Sequence, residues 1–384
     1  MVKRIIIGPG YPLRGGISES NEGLCDYFQA NNQDCKIVSY SLQYPYFLFP
    51  GKQQTIENVS SVRNHTISLI NTINPLSWMK SIRWIISEKP DYVIVRYWHP
   101  YFSICLSFIL SFLNKRSIFV IAWIDNIFPH EPVPLQNFLT SYFLKSCDAF
   151  VVMSKSVHQE LTSCFHLSHK KISITSHPTY SVFGQIISKN LARQKIELLN
   201  SLPITNRCIL FFGLVRKYKG LDLLLDTMAL ERIRKMDIKL IIAGEFYDSK
   251  EKYLAKIDKL NIGENIIIHD YYIPNEHVGK YFCAADIIVQ PYISATQSGV
   301  SMIAYNFDKP MILTNVGGLA EYVQDGVDGY LVPPNSNAIA SALEDYYMNN
   351  REPDFVQAVK KKKINYSWEK LAMQFDNLYK FRHE

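Results

Sequence analysis

The stretch CILFFGLVRKYKGLDLLLDTM, residues 208–228, contains three kinds of sequence in close succession. An unbroken apolar run reaches Gly213, a turn carrying Arg216, Lys217 and Lys219 closes on Gly220, and Leu221, Leu224, Leu225 and Met228 then recur at helical spacing. A strand without in/out alternation is covered on both faces, as in a parallel sheet. A helix with a single apolar stripe is the element that covers one. The stretch therefore predicts a strand, a cationic loop and a helix, the repeating unit of a doubly wound α/β fold.

The same alternation extends in both directions. Downstream, strands are predicted at Lys239–Gly244, Asn265–His269, Ile287–Gln290, Pro310–Thr314 and Tyr330–Val332, beside Ile209–Gly213. Upstream they are predicted at Arg4–Gly8, Lys36–Ser39, Tyr92–Arg96, Ile118–Ala122, Ala149–Met153 and Ile172–Thr175. Two such series imply two Rossmann-like α/β domains facing each other across a cleft. The polar segment between Thr179 and Arg207, which contains Pro203, holds the boundary. The expected division is 1–190 and 191–366. In the tail, Trp368, Leu371, Phe375 and Leu378 have helical spacing behind Ser367, a suitable N-cap. The basic run Lys360–Lys363 before it reads as a solvated face.

Composition fits this reading. The chain has 384 residues, too many for one ordinary core, and its 47% hydrophobic and 20% charged residues exclude a disordered chain. A net charge of +6 suits anionic partners such as nucleotide phosphates or an acidic membrane surface. No zinc-finger spacing or RNA-binding signature is present, so no nucleic-acid partner is expected. Seven scattered cysteines without a CxxC predict reduced, mostly buried thiols in a cytoplasmic protein. The apolar run after Met1 is too short for a signal segment and reads as a first core strand. Residues 101–113, YFSICLSFILSFL, fall short of a bilayer span and read as a buried helix or one touching a membrane. The aromatic stretch Tyr44–Phe49 is open to the same two readings.

In an open parallel sheet, ligands gather at the carboxyl ends of the strands, where helix N-termini point. Four loops there carry unusual residues. GPGYPLRGG, Gly8–Gly16, opens with GxG, but Leu13 stands where a dinucleotide fingerprint has its third glycine. Tight turn and phosphate contact both remain open for it. In the second loop, Gly213–Gly220, Arg216 and Lys219 would neutralise a diphosphate. The third, Pro291–Ser301, offers Thr296, Gln297, Ser298 and Gly299 at the start of a helix, with Ser298 a candidate cap. The fourth, from Thr314, places Glu321 just inside the next helix, where it would also serve as a plain dipole partner.

At this level the residues resemble the family 4 (group 1) glycosyltransferases. The resemblance is carried by GLVRKYKGLDLLL, IIAGEFY, ADIIVQPYISATQSGV and VGGLAEYVQDGVDGYLVPP, and in the first half by Gly15-Gly16, RYWHP, IDNIFPHE and SHPTY. It covers nearly the whole chain and is densest from Cys208 to Pro334. It implies the GT-B arrangement, with the C-terminal helix 367–384 crossing back to the N-terminal acceptor domain. It also implies transfer of a hexose, with retention of configuration and no metal or other cofactor, from a UDP- or GDP-linked donor. A saccharide or polyprenyl-linked oligosaccharide is the implied acceptor, in bacterial surface polysaccharide synthesis at the inner face of the plasma membrane.

By that resemblance Arg216 and Lys219 hold the donor phosphates, the loop with Gly15 and Gly16 closes over them, and Gly213 lets the backbone approach. Glu245, Tyr272 and Ile273 match the nucleobase region, and Asp125, His130 and Glu131 would face the sugar or orient the acceptor. Two features depart from the family. Its paired glutamates, eight positions apart, are absent: Ala295 or Thr296 and Ile303 or Ala304 stand there. Its phosphate-loop arginine is displaced to Arg216. Thr296, Gln297 and the amides of Ser298 and Gly299 would then take over the sugar contacts. A catalytically inactive nucleotide-sugar binding module and a nucleotide-sugar epimerase are the competing functions. The loops are short of the carboxylates that an epimerase needs.

Overall fold

The computed structural model describes residues 2–45, 54–55, 64–128, 133–167, 170–179, 182–197, 207–295 and 298–382. The chain forms two compact units, one of Met1–Pro178 with Ser367–Glu384 and one of Thr179–Tyr366.

The first unit is built on seven strands: β1 (Lys3–Ile7), β2 (Asp34–Leu42), β3 (Thr66–Asn71), β4 (Tyr92–Tyr97), β5 (Phe119–Ile124), β6 (Ala149–Val152) and β7 (Lys171–Ile174). They pair in parallel in the order β3-β2-β1-β4-β5-β6-β7. Ile5, Ile7, Val93 and Val95 face one apolar layer; Ile6, Ile94, Ile121 and Trp123 face another. Burial on both sides explains why these strands read as continuous apolar runs. Strand β3 is additional to the predicted series. Thr66–Asn71 lies at the sheet edge and is mostly only half buried, so its signal is weak.

The C-terminal helix Trp368–Lys380 belongs to this unit and covers one sheet face together with the helix Gly16–Ala30. Ser367 caps it by accepting from the Lys370 amide at 3.2 Å, as the sequence predicts. Phe375 meets Trp123 edge-on at 5.5 Å. Arg4 is buried against Phe28, and its guanidinium binds both carboxylate oxygens of Asp376.

The segment 101–113 resolves to burial. Its helix Ser103–Asn114 puts Cys105, Leu106, Ile109, Leu110 and Leu113 in the core. Tyr44 stacks on Tyr101 at 5.6 Å, while Tyr46–Phe49 lie outside the described residues. No described helix is long and apolar enough to cross a membrane. Cys164 is exposed and the other six cysteines are buried.

The second unit is built on β8 (Arg207–Phe212), β9 (Ile238–Ala243), β10 (Ile266–His269), β11 (Ile287–Gln290), β12 (Met311–Thr314) and β13 (Gly329–Val332). Their order is β10-β9-β8-β11-β12-β13, again parallel throughout. The predicted stripe Leu221, Leu224, Leu225 and Met228 is buried in this unit's core.

The units divide at Pro178/Thr179 and Tyr366/Ser367, whereas the sequence suggested a first switch near 190. The difference comes from helix Lys189–Glu197, whose Lys189 and Arg193 both bind the buried Asp286 of the second unit. The basic run also differs from a plain solvated face. Lys362 pairs with the buried Asp328 and Lys363 with Asp308, which anchors helix Glu352–Lys363.

Candidate functional site

In the second unit the strand order reverses between β8 and β11, so the loops after these strands diverge to opposite sides. A crevice at the carboxyl ends of such strands is the usual ligand position in an open α/β sheet. The cationic loop follows β8, and the loop carrying Ser298 and Gly299 follows β11. Sequence reasoning and topology therefore select the same edge.

Three glycines bring the backbone together there. Gly213 (φ 97°) stands so near Lys219 that a β-carbon on it would lie 3.1 Å from Nζ. Gly244 (φ 147°) leaves room for the Gly213 carbonyl, which would sit 2.1 Å from an added β-carbon. Gly220 (φ 69°) does the same for the Pro291 carbonyl, at 1.9 Å. Hydrogen bonds complete the assembly: Val215 donates to the Glu245 carbonyl at 2.9 Å and Ile293 to the Tyr218 carbonyl at 2.7 Å. The loops after β8, β9 and β11 are thereby one structure. Gly318 donates to the Ala295 carbonyl and joins the fourth loop to them.

The two cations sit on aromatic faces. Arg216 lies 5.1 Å from the Tyr247 ring centroid, and the Lys219 ammonium 5.5 Å from that of Tyr292. Neither forms an ion pair with a carboxylate among the described residues, although the Lys219 side chain is nine-tenths buried. Burial, and secondarily the Arg216 charge, lower Lys219 to about 8. A desolvated ammonium next to a second cation lacks a counter-anion.

Val300 also touches Gly213, with Cγ2 3.5 Å from an added β-carbon, so the opening turn of helix Gly299–Asn306 lies beside Lys219. Among the described residues, no atom lies within 4 Å of where a β-carbon on Gly299 would stand. The arrangement combines a buried ammonium, a guanidinium, and the first amides of a helix that have no intrahelical acceptor. Its chemistry is that of an anion site.

The other predicted residues of this unit are placed unequally. Glu245 is buried, Ile273 is buried after β10, and Tyr272 is partly buried beside it. Thr296 and Gln297 lie outside the described residues. Ser298 is not the predicted cap: its hydroxyl makes no capping bond and donates instead to Gln290 Oε1 at 2.6 Å. Glu321 ends a 3₁₀ turn, Gly317–Glu321, and is exposed, so it does not stand just inside a helix and is no N-terminal dipole partner. The sequence reading did not assign Tyr247, Tyr292 or Gln290. Gln290 had a legible signal, since it is a polar residue closing the apolar run Ile287–Val289.

In the first unit, Gly8 and Gly10 serve close packing: a β-carbon on Gly8 would lie 2.8 Å from Arg96, and one on Gly10 2.9 Å from Glu22. Glu22 also accepts from the Tyr11 amide and binds His65 and Thr66. Close approach of neighbouring side chains therefore requires glycine at these two positions. Gly15 (φ 117°) and Gly16 differ, because among the described residues nothing lies within 4 Å of a β-carbon on either. No side-chain hydrogen bond from Gly15 caps the helix Gly16–Ala30.

Asp125 departs from the expectation of a residue turned to substrate. Arg96 takes both its carboxylate oxygens at 2.5 Å, and the guanidinium stacks 3.6 Å from the Trp123 ring. The pair is buried. Beside it, burial and then the Arg96 charge lower His177 to about 4, so this imidazole is neutral at ordinary pH. Asp125 is built as the counter-ion of Arg96. His130 and Glu131 lie outside the described residues. Among the described residues, no three His, Cys, Asp or Glu side chains cluster as a metal site requires.

Comparison with known proteins agrees with both halves. Residues 14–178 match the model for Glycosyltransferase Family 4, and residues 206–349 the model for Glycosyl transferases group 1. An uncharacterized glycosyltransferase of Methanocaldococcus jannaschii is 22% identical, with 97% of each chain covered. The lipopolysaccharide 1,2-N-acetylglucosaminetransferase of Salmonella typhimurium is 25% identical over 49% of this chain and 51% of its own length. Among solved structures, Anabaena HepE in complex with UDP superposes with a TM-score of 0.70 at 13% identity, covering 98% of this chain and 99% of that one. With two parallel sheets of the GT-B fold and a glycosyltransferase match in each half, the first to Glycosyltransferase Family 4 and the second to Glycosyl transferases group 1, the chain is a glycosyltransferase.

Proposed function

We propose that this glycosyltransferase moves a hexose from a UDP- or GDP-linked donor, with retention of configuration and without a metal, to a saccharide or polyprenyl-linked oligosaccharide acceptor. The observation that carries the reading is the pair Arg216 and Lys219, cations held by aromatic rings beside an open helix N-terminus. A nucleoside diphosphate is the ligand class that such charges, with a nucleobase region at Tyr272 and Ile273, would select. The UDP bound to HepE and the lipopolysaccharide acceptor of the Salmonella transferase support the donor class and a role in bacterial surface polysaccharide.

In the proposed reaction the bond from the anomeric carbon to the phosphate oxygen breaks as the acceptor oxygen bonds to that carbon on the same face. The acceptor proton passes to the leaving phosphate. Negative charge therefore grows on the diphosphate, where Lys219 and Arg216 stabilise it more in the transition state than in the ground state. Glu245, Ser298 and Gly299 complete the donor contacts. His130 and Glu131 are assigned to acceptor orientation, while Asp125 acts through Arg96.

A panel of UDP- and GDP-sugars with a lipid-linked saccharide acceptor tests this. Release of UDP or GDP with an unchanged anomeric configuration in the product is expected. An inverted product rejects the mechanism, and neither release nor binding with any donor rejects the transferase reading.

A further inference from the structure

Gln290 is the last residue of β11, 1% exposed, at the end of a strand whose other members are Ile287, Ile288 and Val289. An apolar side chain would suit that position, so a buried amide must be matched by partners to be tolerated. Its partners all come from the start of the next helix and from β12. Oε1 accepts from Ser298 Oγ at 2.6 Å; Nε2 donates to Ser301 Oγ at 3.0 Å and approaches Met311 Sδ at 3.5 Å. One side chain thus grips helix Gly299–Asn306 on either side of its opening residues.

The grip has a chemical consequence. A serine immediately before a helix ordinarily turns its oxygen inward and occupies the second or third amide. Here Gln290 draws the Ser298 hydroxyl away, and the helix carries no side-chain cap. The Tyr292 hydroxyl, 3.4 Å from Ser298 Oγ, closes the same cluster from the side. The first amides of the helix are left to an external acceptor. No described residue crowds the β-carbon position of Gly299, and the buried Lys219 ammonium reaches Gly213 next to Val300. The Lys219 ammonium and the Val300 side chain thus flank the same point beside Gly213.

We propose that Gln290 is a positioning residue for the donor: it holds Ser298 and Ser301 so that the uncapped amides of Gly299 and Val300 meet the diphosphate borne by Lys219. The inference rests on the donor site proposed above. In chemical terms, Gln290 is a neutral clamp that brings no charge of its own to the start of this helix.

Gln290→Met, nearly isosteric and without hydrogen bonds, is compared with the parent protein by donor kinetics and by titration with UDP and GDP. The expected result is a donor KM and a nucleotide Kd raised at least tenfold, with kcat within threefold and the thermal midpoint within a few degrees. A residue that merely supports the fold would move the midpoint and leave the KM of the folded fraction unchanged. Ser298→Ala should weaken binding as well, and Gln290→Met with Ser298→Ala should bind no more weakly than Gln290→Met alone. Additive losses, or a folded Gln290→Met whose KM stays within twofold of the parent, would overturn the clamp. Should Gln290→Met fail to fold, Ser301→Ala removes the Nε2 partner without touching the strand, and a KM unchanged within twofold would overturn the clamp equally. Lys219→Met separates this failure from that of the site. If Lys219→Met loses nucleotide and Gln290→Met does not, only the clamp is wrong; if Lys219→Met binds as the parent does, site and clamp fall together.

Discussion

Lys219 is the buried cation of the candidate site. Its ordinary pKa of 10.5 is lowered to about 8 by burial and by Arg216. Between about 8 and 10.5 the unfolded chain therefore holds more protons at this group than the folded one, and its contribution to stability rises with pH across that window. Below about 8 the full cost of the buried charge is present. A bound diphosphate restores the proton, so nucleotide affinity should fall as pH rises past 8, by about tenfold between pH 7 and pH 9. Calorimetric titration with UDP and GDP at the two pH values checks this, and equal affinities contradict it. Lys219→Met should abolish the pH dependence, weaken binding by roughly a hundredfold and leave the unliganded protein no less stable. Asp125 shows the opposite situation. An acid in a loop after a strand reads as a site residue, yet its carboxylate is committed to Arg96, a residue distant in sequence. No local pattern reveals such a pairing.

At the scale of elements, the glycines divide into two groups that substitution tells apart. Gly220 has a positive φ and the Pro291 carbonyl where its β-carbon would go. Gly220→Ala should cost at least about 3 kcal/mol by denaturant unfolding and spoil the site with the fold. Gly299 opens a helix with no described atom within 4 Å of its β-carbon position. Gly299→Ala should keep stability within about 1 kcal/mol while weakening nucleotide binding, because only the approach of the ligand is obstructed. A destabilised Gly299→Ala, or one that binds nucleotide as the parent does, contradicts the assignment.

The strands were legible because burial on both faces writes itself as apolar runs, as in Ile209–Phe212 and Ile287–Val289. The edge strand β3 was not, since half of that imprint is missing. Ser298 shows the limit at finer grain. Its position before a helix is readable, but the direction of its hydroxyl depends on Gln290 in another element.

At the scale of the molecule, the last helix closes the first unit. Leu371, Phe375 and Leu378 cover Ile6, Ile94 and Trp123, and Asp376 neutralises the buried Arg4. Asp376→Ala should cost about 2–3 kcal/mol by leaving that guanidinium unpaired, partly offset by water at the exposed side of the pair. A chain ending at Tyr366 should lose the calorimetric transition of the first unit and retain that of the second. Persistence of both transitions would show that the tail is dispensable. Heptad-free apolar spacing behind Ser367 announced this helix, while its address on the first sheet came only from the family resemblance.

The central claim is that Arg216, Lys219 and the start of helix Gly299–Asn306 hold a nucleoside diphosphate. A crystal structure with UDP or GDP tests it most directly. The account predicts phosphate oxygens within hydrogen-bond reach of Lys219 Nζ, the Arg216 guanidinium and the Gly299 amide, with the Ser298 hydroxyl still on Gln290. A nucleotide whose phosphates lie away from Lys219, or a Ser298 hydroxyl turned to cap its own helix, would contradict it.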